Sequence, residues 1–107
     1  MFQSPQSFVT PIQEAWVAPA NPWTLDAFIA WLERQPAEGV YNWADCEGGC
    51  LMGLYSVAIG DGHKSWAYRI GDVECIEYTM HAEVAMPRPW TFGAALDRAR
   101  ALREAGV

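Results

Sequence analysis

The sequence predicts a small two-layer α+β domain, with three helices packed on a short antiparallel β-hairpin or sheet. Three observations point there. Apolar residues recur at helical spacing in three stretches, near residues 24–35, 47–59 and 91–106. Between the second and third stretches, apolar and polar residues alternate over 66–70 and again over 76–86. That is the period of a half-buried strand, and Gly71-Asp72 between the two runs reads as the turn. The chain has 107 residues, 51% hydrophobic and 19% charged. Such a chain builds one domain with its own core and is not wholly disordered.

Residues 1–23 carry Pro5, Pro11, Pro19 and Pro22. Proline fixes φ and removes a donor, so this segment is expected to be extended or irregular, with room for a short edge strand at Ser7–Thr10 or Ala15–Ala18. The domain itself is expected to span 24–107. Its first helix opens at Thr24, whose hydroxyl suits an N-cap, with Asp26 in the first turn and Trp23 placed to pack on Phe28. Leu25, Phe28, Ile29 and Leu32 form its apolar face, and Pro36 ends it at about Gln35.

Residues 36–49 read as a loop with a short extended piece at Val40–Trp43. The second helix is expected from Glu47 or Gly49 to Ile59, capped by Asp45, with Cys50, Leu51, Leu54, Val57 and Ala58 as its buried stripe. Gly60 supplies a left-handed terminator. In the predicted hairpin, Trp66, Tyr68 and Ile70 alternate along one strand. Ile76, Tyr78, Met80, Ala82, Val84 and Met86 all fall at even positions of the other. Val73, Ile76, Met80 and Val84 also fit a helix face, but the β-branched and aromatic content favours a strand. The last helix follows Pro87 and Pro89. Thr91 caps it, Phe92, Ala95, Leu96, Ala99 and Leu102 face inward, and Gly106 ends it. Arg98, Arg100 and Arg103 lie toward its C-terminal half, where positive charge suits the helix dipole. Pro22-Trp23-Thr24-Leu25 echoes Pro89-Trp90-Thr91-Phe92; the same capping chemistry used twice accounts for it.

Thirteen acidic against seven basic residues give a formal charge of −6. A surface of that sign repels phosphate, so direct nucleic-acid binding is not expected. The charge is uneven. Residues 35–87 hold eight acids and only Lys64 and Arg69, whereas 88–107 carry four arginines against Asp97 and Glu104. Glu74, Glu77 and Glu83 are expected on or beside the solvent side of the hairpin. Six tryptophans are many for a core this small, and surplus indoles suit a contact surface. No apolar run reaches the roughly 18 residues of a membrane span, and the opening residues show no basic-then-apolar leader. A cytoplasmic location and no membrane partner are therefore expected.

Three cysteines, Cys46, Cys50 and Cys75, read as thiols and not as a disulfide framework. Asp45-Cys46-Glu47-Gly48 ahead of a helix resembles the D-C-S-G start of the NlpC/P60 cysteine peptidases, with Glu47 where those enzymes have Ser. A cysteine-dependent hydrolase using Cys46 with His63 or His81 is thus an alternative reading. Cys46-x3-Cys50 with His63, Cys75 or His81 lacks the two tight pairs of a structural zinc site. No Gly-Lys-Ser/Thr follows the glycines to make a phosphate loop. No cofactor, metal or catalytic set is expected.

The stretch Leu25–Ala37, then Tyr41-Asn42-Trp43-Ala44-Asp45, Cys50-Leu51 and Tyr55, and finally Thr91–Arg100 together resemble a set of small proteins from tailed phages and prophages. Their pattern is FIAWLExQPA, Y-x-[YW]-x-D, a Cys-Leu helix and TFGAALxRAR. The resemblance covers residues 25–55 and 91–100 and brings no catalytic residue. It implies a setting in the bacterial host: a small acidic protein that binds and inhibits a host protein or nucleoprotein complex, as anti-CRISPR proteins do. In that reading Asp61, Asp72, Glu74, Glu77 and Glu83 attract a basic surface, and Trp43, Trp66 and Tyr78 anchor the contact. A dimerising accessory or structural phage protein, its surplus tryptophans buried between copies, is a further alternative.

Overall fold

A computed structural model describes residues 17–44, 49–60 and 74–107. These residues form four helices and no strand or hairpin, so the expected α+β architecture is replaced by an α-helical one. Helix α1 is Leu25–Leu32 and α2 is Leu51–Ala58. Helix α3 is an α-helical turn, Ile76–Thr79, that continues as a π-helix over Met80–Ala85. Helix α4 is Phe92–Glu104. The only extended pairing among the described residues is one antiparallel bridge between Val40 and Thr91.

The ends of the helices follow local chemistry. The hydroxyls of Thr24 and Thr91 accept from Ala27 N and Ala94 N at 3.1 and 3.2 Å. Gly60 and Gly106 adopt φ of 80° and 88°, the left-handed conformation that closes a helix without a Cβ clash. Helix α1 stops at Leu32, slightly ahead of the expected end.

The second expected strand is the main correction. A strand over 76–86 would bury Tyr78, Ala82 and Met86 and expose Glu77. Met80 and Val84 are fully buried, as on either element, but Tyr78 and Ala82 are only half-buried, Met86 is 37% exposed and Glu77 only 3%. That pattern is a helix face. The other expected strand, with Trp66, lies outside the described residues, as do the turn at 71–72 and the edge strand at 7–10.

Helix α2 is also turned relative to expectation. Its cap is Cys50, whose Sγ accepts from Gly53 N at 3.3 Å, and its inward face is Leu51, Met52, Tyr55 and Ser56, while Val57 is 50% exposed. Turning Met52 and Tyr55 inward buries far more apolar area than Val57 and Ala58 would.

Helix α4 packs on α1 and on the π-helical half of α3, and α2 packs on that same half. The shared core is aromatic. Trp31 lies against Phe28, Tyr55 and Phe92. Trp23, expected to staple onto Phe28, meets Tyr55 edge-on, with centroids 5.4 Å apart, and the Tyr55 hydroxyl donates to Pro22 O. On the rim, Arg100 pairs with Glu33 at 2.8 Å and Arg103 with Asp26 at 3.1 Å.

Helix α4 begins against the turn at 37–39. Gly93 N donates to Ala37 O at 2.9 Å, and a Cβ at position 93 would lie 2.9 Å from that same oxygen. Overpacking at Gly93→Ala costs about 1–3 kcal/mol, and the gain in helix propensity, about 1 kcal/mol, offsets part of it. A net loss of about 1 kcal/mol is expected. Urea denaturation reads the difference.

Candidate functional site

The segment joining α3 to α4, Met86-Pro87-Arg88-Pro89-Trp90, contains two prolines and cannot continue a helix. It is tied to the loop after α1. Tyr41 N donates to Trp90 O at 3.1 Å and Phe92 N to Gly39 O at 3.0 Å, flanking the Val40–Thr91 bridge. This register carries Trp43, two residues beyond Tyr41, up beside Trp90. The two indoles stack with centroids 4.8 Å apart and an interplanar angle of 29°. The guanidinium of Arg88 lies 4.8 Å from the centroid of the Trp90 ring, and Trp90 Nε1 donates to Met86 O at 2.9 Å.

Trp43 is held from both sides along the chain. Asn42 Oδ1 accepts from Ala44 N at 3.2 Å, an Asx turn around Trp43. Asn42 N donates to Gly49 O at 3.0 Å, which fastens the turn to the start of α2. Trp43 is nevertheless 39% exposed. An aromatic stack held in place yet open to solvent is the feature that most resembles a contact site.

Beneath the stack lies a polar node that the sequence reading missed. Arg98 Nε and Nη2 donate to Val84 O at 2.9 and 2.7 Å, and Nη1 donates to Pro89 O at 3.1 Å. Nη2 also donates to the Tyr41 hydroxyl at 3.1 Å, and that hydroxyl donates to Ala85 O at 2.6 Å. Arg98 therefore neutralises the carbonyl end of α3 and not that of its own helix. Burial pushes the Tyr41 hydroxyl up to about 12, with Arg98 opposing the rise.

Of the residues expected to form an acidic docking face, only some fall among the described residues. Glu74 and Glu83 are exposed, Tyr78 is half-buried and Glu77 is interior. A strand would have set Glu77 and Glu83 on one face, about 20 Å apart; the helix sends one inward and the other out. Asp61, Asp72 and Trp66 lie outside the described residues. Trp43 is exposed and has the built surroundings given above. Trp90 and Arg88 entered the sequence reading only through capping and charge. The signal that could have marked them was the Pro-Arg-Pro-Trp run itself, which holds its side chains out of any helix.

For the thiol and metal readings, Cys46 and His63 lie outside the described residues. Cys50 and Cys75 are buried at the starts of α2 and α3. His81 is half-buried on α3, not on a strand, and burial lowers its pKa. Among the described residues no three His, Cys, Asp or Glu side chains gather into a set that could hold a metal ion. No helix among them is long and apolar enough to cross a membrane. Compared with known proteins, the chain matches no family model, no curated protein and no solved structure.

Proposed function

We propose that this protein acts by docking on a partner protein that presents a basic surface, and that it occludes that surface without transforming a substrate. The observation that carries the reading is Trp43, exposed yet locked by an Asx turn and a stacked neighbour, on a chain of net charge −6. Tryptophan, with tyrosine and arginine, is enriched among the residues that carry most of the binding energy at protein interfaces. The charge balance supports it. Arg98 is spent on backbone carbonyls, and Arg100 and Arg103 are paired with Glu33 and Asp26. Glu38, Glu83, Asp97 and Glu104 are exposed and make no ion pair among the described residues. Arg34 and Arg88 are exposed as well, so carboxylates outnumber guanidiniums among these groups; with the net charge of −6 the outward field is acidic, which steers basic partners.

The resemblance to small phage proteins makes a host nucleoprotein complex, of the RNA-guided immune kind, the partner to try first. Surface-binding measurements of the full chain against purified guide-loaded surveillance complexes test this. Expected are saturable binding at 50 mM salt, a loss of roughly tenfold or more at 500 mM through screening, and competition by target DNA for the same basic channel. Absence of binding across such complexes, together with no stoichiometric partner retained from host lysate at low salt, overturns the proposal.

A further inference from the structure

We infer that the exposed surface of Trp43 is the seat of an arginine side chain from the partner, which extends the existing Arg88–Trp90–Trp43 stack by one guanidinium. This rests on the docking function proposed above and names the group that the site takes.

Four observations lead to it. One face of the Trp43 indole is turned to Trp90, yet the residue as a whole stays 39% exposed, so the stack does not close the site to solvent. Tryptophan is the strongest aromatic partner for a cation, and the neighbouring ring already holds one, Arg88, at 4.8 Å. Among the described residues, the exposed apolar surface around it is small. Met86, at 37% exposed, is the other exposed large hydrophobic residue of this region among the described residues. That area is too limited for a greasy helix or strand, but it accommodates one planar side chain. Finally, the net charge of −6 draws cations toward the protein as a whole.

Arginine fits better than lysine because its guanidinium is planar, weakly hydrated and stacks on rings. Little ordering is needed on binding. The Asx turn, the Val40–Thr91 bridge and the anchored Tyr41 already hold the indole in place.

The test uses the full chain and three nine-residue peptides: all-arginine, all-lysine and an uncharged glycine-serine control. Calorimetric titrations are run on wild type and on Trp43→Leu, which keeps apolar bulk and removes the ring. In parallel, the indole N–H resonances are followed by NMR, with the Trp43 signal assigned from the variant. The arginine peptide is expected to bind wild type more tightly than the lysine peptide. Trp43→Leu should weaken the arginine peptide about fivefold and narrow the difference between the two. The Trp43 resonance should shift on titration while that of buried Trp31 stays still. Wild type that binds neither basic peptide overturns the docking function itself. Wild type that binds both, with affinity unchanged in Trp43→Leu or an unmoved Trp43 resonance, overturns the arginine seat and leaves the docking function standing.

Discussion

Trp31→Ala is expected to lower the stability of this protein by about 4 kcal/mol, enough to consume much of the roughly 5–15 kcal/mol that holds a domain folded. Trp31 is fully buried. It stacks on Phe28 with centroids 6.3 Å apart, meets Tyr55 at 5.3 Å and meets the Phe92 edge at 6.1 Å. It thus joins α1 to both α2 and α4, and no one neighbour can move in to fill the space it leaves. Its Nε1 is buried without a hydrogen-bond partner, an arrangement that carries a desolvation cost. Trp31→Phe removes that unpaired donor along with part of the volume, so it should cost less than half as much as the alanine variant. Urea unfolding followed by far-ultraviolet circular dichroism separates the two. Equal losses for Phe and Ala would overturn this expectation, because the retained ring volume and the removed donor both favour the phenylalanine variant.

Arg98→Met should be the second most damaging change, at about 3 kcal/mol. Methionine keeps the apolar stem but leaves Val84 O and Pro89 O without their donors and takes a partner from the Tyr41 hydroxyl. Tyr41→Phe removes the other half of the node, the bond to Ala85 O. Because Arg98 and Tyr41 share one network, the double variant should cost less than the two singles added together. Arg100→Met and Arg103→Met break exposed pairs and are the comparison. Each should cost under about 1 kcal/mol, which distinguishes the capping role of Arg98 from the general effect of losing a positive charge on α4.

The mistaken strand has a specific origin. Ile76, Met80 and Val84 are spaced four apart, and four is a multiple of two as well as nearly one helical turn. They share a face under either period, so the apolar pattern alone could not choose. The residues that differ between the two readings are Glu77, Tyr78 and Met86, and nothing near them in the chain decides their fate. Packing of α3 against α2 and α4 did: with Met80 and Val84 inward as under either period, it left Tyr78 half-buried, turned Met86 out and took an acidic side chain, Glu77, into the interior. β-branched and aromatic content, which favoured a strand, is a weak preference that such packing overrides. The widened π-helical backbone over Met80–Ala85, with Met86 N bonding His81 O at 3.1 Å, has no simple periodic signature.

The chain by itself determined where α1 and α4 begin, where α2 and α4 end, that the protein is acidic, and that its aromatic residues are numerous. The Thr24, Thr91, Gly60 and Gly106 signals act on groups within about four residues, so they are readable as text. Tertiary structure decided the rest. Arg98 reaches carbonyls 14 and 9 residues away and a hydroxyl 57 away, and Trp43 finds Trp90 only through the bridge at Val40–Thr91. Contacts of that span exist only once the backbone has closed on itself, because their energy depends on distances that no local pattern specifies.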